Sequence, residues 1–293
     1  MLKIAVLCSG KLGLDTLKKV AKSYQIDCVF TDKKSEDIIH FTNQSNIPLF
    51  KGNPRNKKGY HFIKDFEIDV IISINYLFLI DTDIINHSKK LTFNLHGSLL
   101  PKYRGRTPHV WSIINGETKA GITAHQIDAG CDTGKIIHQI EVPINPEDTG
   151  ADILKKYTTL YFPLVKKVLQ DVMDDNLKLS PQNELNATYF GKRTPEDGQI
   201  NWNWSKMQIK NWIRAQAYPY PGAFSFINGK KIIIDKVSFS NRSKVTNASN
   251  GEVIETEPNI LIKVNDGVIL LEKIRTENYN FVTGNKFENE NRI

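Results

Sequence analysis

The chain has 293 residues, 40% of them apolar and 24% charged, with a formal net charge of +7. That length supports a sizeable core and two domains, and the composition is that of an ordinary globular protein. No apolar run approaches the roughly 20 residues that span a bilayer, and the first apolar run is broken too early by Ser9-Gly10 to be a secretory signal. A cytoplasmic protein is therefore expected. The basic balance favours anionic partners such as nucleotides, nucleic acid or a polyanionic cofactor. The lysine pairs, however, are dispersed from Lys18-Lys19 to Lys230-Lys231, as on solvated faces and turns. Cys8, Cys28 and Cys131 share no metal-ligand spacing, so buried free thiols at Cys8 and Cys28 are expected, and no metal.

Residues 3–8 form a continuous apolar run, the mark of a central parallel strand. Ser9-Gly10-Lys11-Leu12-Gly13 and a periodic helix follow; the glycines do not fit GxGxxG. A small-residue loop at a strand's C-terminal end is still well placed to touch a phosphate. Residues 26–30, 47–50 and 69–74 read as further strands, alternating with helices that start at Ser35 and Gly59. This alternation predicts a doubly wound, largely parallel sheet. Residues 120–127 and 135–142 read as a hairpin-like pair of strands around Asp128-Ala129-Gly130-Cys131-Asp132-Thr133-Gly134. Two acids and two glycines in that turn would present carboxylates at a strand's end.

A long amphipathic helix is expected from Asp148-Thr149-Gly150 to about residue 174. Residues 175–201 are polar and proline-containing and read as an interdomain linker, dividing the chain into domains 1–190 and 191–293. Beyond a helix capped by Ser205, short alternating strands are separated by Asn228-Gly229, Asn250-Gly251 and Asp266-Gly267, strong turn signals. A small β-barrel is their natural closure. The polar tail from Glu277 is expected to fray.

The stretch Phe93-Asn94-Leu95-His96-Gly97-Ser98-Leu99-Leu100-Pro101 is the candidate reaction centre. Alternation puts Asn94 and His96 on one face at a strand's end, where open α/β sheets bind ligands. With Asp132 from another strand end, these residue types suit acyl transfer to an amine. A neutral imidazole takes the proton the amine must lose, and a carboxylate orients the imidazole and stabilises its cation. An amide donates to the oxyanion. Lys11, Arg104 and Arg106 are candidate pyrophosphate contacts, since guanidinium forks match phosphate oxygens. Tyr218 and Tyr220 are candidates to stack on a base or wall a sugar. His125 reads as an ordinary sheet residue.

Asn94-x-His96-Gly97-Ser98-Leu99-Leu100-Pro101 with Arg104-Gly105-x-x-Pro108, then Gly121-Ile122-Thr123 and Asp128-x-Gly130-x-Asp132-Thr133-Gly134, resembles the 10-formyltetrahydrofolate-dependent formyltransferase family. The resemblance spans about forty residues in order. It implies a Rossmann-like catalytic domain with catalytic Asn94, His96 and Asp132. It implies a folate loop at Ser98, Leu99, Leu100 and Pro101, and further pterin contacts at Tyr76, Leu77, Leu79 and Asp128. Ala217-Tyr218-Pro219-Tyr220-Pro221-Gly222 and Gly251-Glu252-Val253-Ile254 resemble the C-terminal OB-like domain of methionyl-tRNA and sugar-nucleotide formyltransferases. No basic glycine-rich insertion follows the second strand, where residues 31–37 pass directly into a helix. Residues 104–111 also resemble the sugar-nucleotide enzymes more closely. The implied activity is therefore formyl transfer from 10-formyltetrahydrofolate to a nucleotide-linked amino-deoxy sugar of the dTDP-4-amino-4,6-dideoxyglucose type. It would serve surface polysaccharide, O-antigen or lipopolysaccharide synthesis, in a homodimer. The alternatives are a methionyl-tRNA formyltransferase and a non-catalytic nucleic-acid binder using the OB-like domain.

Overall fold

Five strands alternate with four helices at the start of the chain: β1 (Ile4–Cys8), α1 (Gly10–Ser23), β2 (Ile26–Thr31), α2 (Glu36–Gln44), β3 (Leu49–Lys51), α3 (Lys58–Ile63), β4 (Val70–Ile74), α4 (Thr82–Ile85) and β5 (Leu91–His96). The computed structural model describes residues 2–242, 247–276 and 279–289. Every residue of β1 and β4 is buried, which is why both strands read as unbroken apolar runs rather than alternating ones. There follow β6 (Arg104–Gly105), α5 (Pro108–Ile114), β7 (Lys119–Gln126), β8 (Ile136–Pro143) and α6 (Gly150–Met173).

One seven-stranded sheet results, in the order β3-β2-β1-β4-β5-β7-β8. β1 pairs in parallel with β2 and β4, β2 with β3, and β4 with β5, whereas β5 and β7 are antiparallel. The expected doubly wound sheet is present. The chain winds outward from β1 to β3, then crosses over to β4 and β5. That reversal opens a crevice at the C-terminal strand ends.

The chain divides into two compact units, and the division is not one cut in the sequence. The first comprises Met1–Pro108, Gly121–Val142 and Lys155–Phe190; the second comprises His109–Ala120, Pro143–Leu154 and Gly191–Ile293. Within the second unit, Arg214 Nη1 donates to the carbonyls of Asn145 (3.2 Å) and Asp148 (2.6 Å), and Lys210 pairs with Glu147. These contacts draw the 143–154 excursion into that unit.

The stretch expected to be a linker is ordered. Ser180 bridges Ile136, and β9 (Tyr189–Phe190) pairs in parallel with β6. Its end belongs to the second unit's core, where Ile200 and Trp202 are fully buried. That unit carries α7 (Lys206–Ala215) and five strands: β10 (Ala223–Ile227), β11 (Lys230–Phe239), β12 (Val253–Glu255), β13 (Ile260–Val264) and β14 (Gly267–Ile274). They form an antiparallel half-barrel sheet in the order β10-β11-β14-β13-β12, with β10 and β12 as its edges. Asn228 and Gly229 both have positive φ, 50° and 73°, as the two-residue hairpin between β10 and β11 requires.

The tail departs from expectation. Of the segment starting at Glu277, residues 277–278 and 290–293 lie outside the described residues, and 279–289 are packed rather than frayed. Phe281 and Phe287 are buried, and the Phe287 ring stacks on Trp202 at 4.6 Å. The backbone is tied in as well, with Val253 N–H donating to Asn285 O and Phe287 N–H to Gly251 O. Two buried aromatic rings anchor a segment whose other residues are exposed or half-buried.

Candidate active site

β5 ends in Asn94-Leu95-His96, and the pleat sends Asn94 and His96 to the same side. β7 runs antiparallel beside it, with His125 opposite Asn94 and Thr123 opposite His96. Opposed residues share a face, so His125 joins the pair. The turn after β7 adds Asp132, held in the left-handed region at φ 57°.

His96 is buried, and its Nε2 lies 2.8 Å from the carbonyl oxygen of Tyr103. A carbonyl only accepts, so Nε2 carries the proton of the neutral ring and Nδ1 keeps its lone pair. That Nδ1 faces Asp132 Oδ2 at 3.5 Å. The sequence-based expectation was that the carboxylate orients the ring; the Tyr103 carbonyl does so instead, and Asp132 supplies charge. His125 repeats the pattern. Its Nδ1 donates to Gln126 O at 2.7 Å, and its Nε2 accepts from Asn94 Nδ2 at 3.2 Å and lies 3.5 Å from Asp132 Oδ1. One carboxylate thus sits between two imidazoles.

Burial pushes the Asp132 carboxyl up, but the positive charge that the flanking imidazoles carry when protonated, together with the Gly105 N–H, which donates to Oδ2 at 2.9 Å, outweighs it. The group is held well below the usual carboxylate range and is ionised at neutral pH. Burial lowers the His96 imidazole below its ordinary value, against the upward pull of Asp132 and the Tyr103 hydrogen bond. His96 is therefore a neutral base whose open nitrogen faces a fixed negative charge. A proton arriving there is stabilised at once, the requirement for general-base work.

The loop after β5 is pinned from beneath. Ser98 Oγ donates to Lys102 O at 2.6 Å, and Ser98 O accepts from Thr123 Oγ1 at 2.6 Å. Leu100 N–H donates to the same Thr123 oxygen, and Leu100 O accepts from Gln139 Nε2. Leu99 and Pro101 remain part-exposed. Tyr76, Leu77 and Leu79 follow β4, the strand beside β5; Leu77 is 45% exposed and Leu79 66%. Exposed leucines at a strand-end crevice fit the flat faces of the pterin that the folate reading requires, a heterocycle whose edge carries the hydrogen-bonding groups. Asp128 is exposed, and its Oδ1 accepts from Gly130 N–H and Thr133 Oγ1, which shapes the turn. Among the described residues, no group of three or more His, Cys, Asp or Glu is arranged to hold a metal ion.

The candidate phosphate contacts separate. Lys11, in the first turn of α1, and Arg106 are exposed; Arg106 Nη2 donates to Leu77 O at 3.2 Å. Arg104 is corrected. Its side chain has 0% exposure, and its guanidinium is engaged by Glu184 (2.9 and 2.7 Å), Gln182 (3.1 and 2.8 Å) and Tyr189. With those donors spent internally, Arg104 has no fork to offer a phosphate. Tyr218 and Tyr220 belong to the second unit, where Tyr218 is 70% exposed and Tyr220 Oη bonds to His109 Nε2 at 2.8 Å.

Sequence reasoning read His125 as an ordinary sheet residue; the structure sets it against Asn94 and Asp132. Its signal was its place on the strand feeding the Asp-rich turn.

Comparison with known proteins places the chain in a family. Residues 2–165 match the formyl transferase family and residues 192–292 the formyl transferase C-terminal domain. WlaRD, a sugar 3N-formyl transferase solved with dTDP and 5-N-formyl-THF, is 27% identical with a TM-score of 0.74, covering 94% of this chain and 99% of its own. The N-formyltransferase from Helicobacter canadensis, in complex with folinic acid and dTDP-3-aminofucose, is 26% identical with a TM-score of 0.74, covering 93% and 99%. A 4-N formyltransferase from Francisella tularensis is 25% identical with a TM-score of 0.65, covering 80% and 96%. With a catalytic-type cluster at the strand ends and both segments matched, the chain belongs to the formyl transferase family.

Proposed function

We propose that this protein transfers a formyl group from 10-formyltetrahydrofolate to the amine of a dTDP-linked amino-deoxy sugar. The observation that carries the reading is the cluster of Asn94, His96 and Asp132 at the strand ends. The full-length likeness to two sugar enzymes crystallised with dTDP or a dTDP-sugar supports the substrate class.

In this reading, Tyr76, Leu77, Leu79, Asp128 and the loop from Ser98 to Pro101 hold the folate, which supplies the activated formyl carbon. Asn94 Nδ2 has one hydrogen on His125 and a second free to donate to the formyl oxygen as it gains charge. His96 Nδ1 takes the proton that the attacking amine sheds, Asp132 stabilises the resulting imidazolium, and that proton passes to the folate N10 as the formyl C–N10 bond breaks, releasing tetrahydrofolate. Lys11 and Arg106 meet the pyrophosphate, and Tyr218 and Tyr220 the base or sugar. Residues 1–190 act as the catalytic domain and 191–293 as the accessory one. The enzyme works as a cytoplasmic homodimer that supplies formylated sugar for surface polysaccharide such as the O-antigen of lipopolysaccharide. Among the described residues, no helix is long and apolar enough to cross a membrane.

The test is incubation with 10-formyltetrahydrofolate and a panel of dTDP- and UDP-amino sugars, led by dTDP-4-amino-4,6-dideoxyglucose and dTDP-3-aminofucose. A formamide and tetrahydrofolate are the expected products. Formylation of methionyl-tRNA with no turnover of any sugar would overturn the reading.

A further inference from the structure

Residues 182–190 lie in the gap between the two matched family segments, which end at 165 and resume at 192. They nevertheless form a strap across the loop and turn that carry the catalytic groups. We infer that this strap positions His96 and Asp132, with Gln182 as the positioning residue and Arg104 as its lock.

The Gln182 amide has only one consistent orientation. Its Nε2 lies 2.8 Å from Asp132 O and 2.7 Å from Gly134 O, so this end donates twice. Its Oε1 accepts from Arg104 Nε and Nη2. A flipped amide would set oxygen against two carbonyls and nitrogen against a guanidinium. Arg104 is in turn held by Glu184 through a two-pronged contact of the kind that fixes a guanidinium plane. A chain of bonds therefore runs from Glu184 through Arg104 and Gln182 to the backbone of Asp132. Asp132 needs such support, because a non-glycine residue at positive φ is costly to hold.

The same strap fixes the other half of the site. Tyr103 N–H donates to Thr188 Oγ1 at 2.8 Å, Arg104 N–H to Thr188 O, and Arg106 N–H to Phe190 O. The Tyr103 ring stacks on Phe190 at 5.2 Å. Between these anchors lie the two backbone groups the site depends on: the Tyr103 carbonyl that fixes the His96 tautomer and the Gly105 N–H that holds Asp132 Oδ2. Without the strap, base and carboxylate lose their common reference.

The proposal rests on the formyl-transfer reading and is tested beside it. Gln182→Leu should lower kcat about 10–100-fold, as small misplacements of reacting groups do, with both KM values within about twofold of the parent. Should this variant fail to fold, Gln182→Glu keeps the acceptor for Arg104 and turns an oxygen against the two carbonyls. Nitrogen NMR of the histidine imidazoles needs no substrate, and the His96 Nδ1 signal should shift in the same variants. A folded variant with kcat within about twofold of the parent, or one whose loss falls in KM alone, overturns the proposal. If the unaltered enzyme formylates no sugar, the substrate reading fails. The strap is then judged on the NMR, where an unchanged His96 signal sinks it.

Discussion

His96 gives its Nε2 proton to the Tyr103 carbonyl at 2.8 Å, not to Asp132. The nitrogen left open is Nδ1, and it points at Asp132. This division of labour, backbone for orientation and carboxylate for charge, has a pH consequence. With His96 as the proposed base, the active form needs the neutral ring, so kcat/KM should rise with pH through the His96 pKa. Burial places that pKa below the ordinary histidine value, so the acidic limb should lie below about pH 6.5. A pH–rate profile checks this; a limb at or above that value contradicts it.

Removing either member should be severe. His96→Ala is expected to lose about 10²–10⁴-fold in kcat, the range for a missing general base. Asp132→Asn keeps an oxygen for the Gly105 N–H but removes the charge that draws a proton to His96. It should therefore fold, lose activity by orders of magnitude, and carry an acidic limb shifted further down. Circular dichroism with single-turnover rates separates these effects, and near-normal rates would show that the cluster is misassigned.

Local patterning made much of the candidate site's geometry legible. Alternation put Asn94 and His96 on one face, the Asp-Gly-rich turn marked Asp132, and Asn228-Gly229 marked its hairpin correctly. What failed depended on distant partners. His125 became a site residue through the antiparallel register of β7 on β5, 31 residues from Asn94. Arg104 looked like a phosphate ligand because its partner Glu184 is 80 residues away. A polar segment such as 175–201 reads as linker unless its hydrogen-bond partners are known.

Gly105 is a point where strap and loop touch most closely. A Cβ built there would lie 2.3 Å from the Phe190 carbonyl oxygen, and φ is 100°. Gly105→Ala thus combines a backbone clash with a conformation that L side chains rarely adopt. It should cost at least about 1–3 kcal/mol, the usual range for such strain. Urea unfolding should show the loss, together with reduced activity, because the Gly105 N–H can no longer reach Asp132 unmoved.

Asp171 on α6 is buried, and it accepts from Lys167 Nζ at 2.6 Å and meets His138 Nε2 at 2.5 Å. Burial raises its carboxyl pKa, but these hydrogen bonds and charges outweigh it and hold the value below normal. A depressed carboxylate stabilises the fold above its unfolded pKa of about 3.9, and that stability is lost as pH falls through the folded value. Asp171→Asn should lower Tm at pH 7, with the gap to the parent closing below about pH 4. A gap that is constant with pH would mean that packing, not charge, is at stake.

The tail offers the last test. Phe287 is 1% exposed, stacks on the fully buried Trp202, and is flanked by Phe281. Its backbone N–H donates to Gly251 O, and the next residue's N–H donates to Phe226 O, so ring and chain are anchored together. Trp202 indole N–H in turn donates to Ser225 Oγ, whose hydroxyl donates to Glu288 O. Truncating the ring therefore empties a cavity that Trp202 cannot collapse into without breaking its own hydrogen bond. Phe287→Ala should cost about 3–5 kcal/mol, the range for buried aromatic truncations. A fraying tail would instead tolerate the change within about 0.5 kcal/mol, as exposed positions do. Equilibrium urea unfolding followed by circular dichroism distinguishes the two.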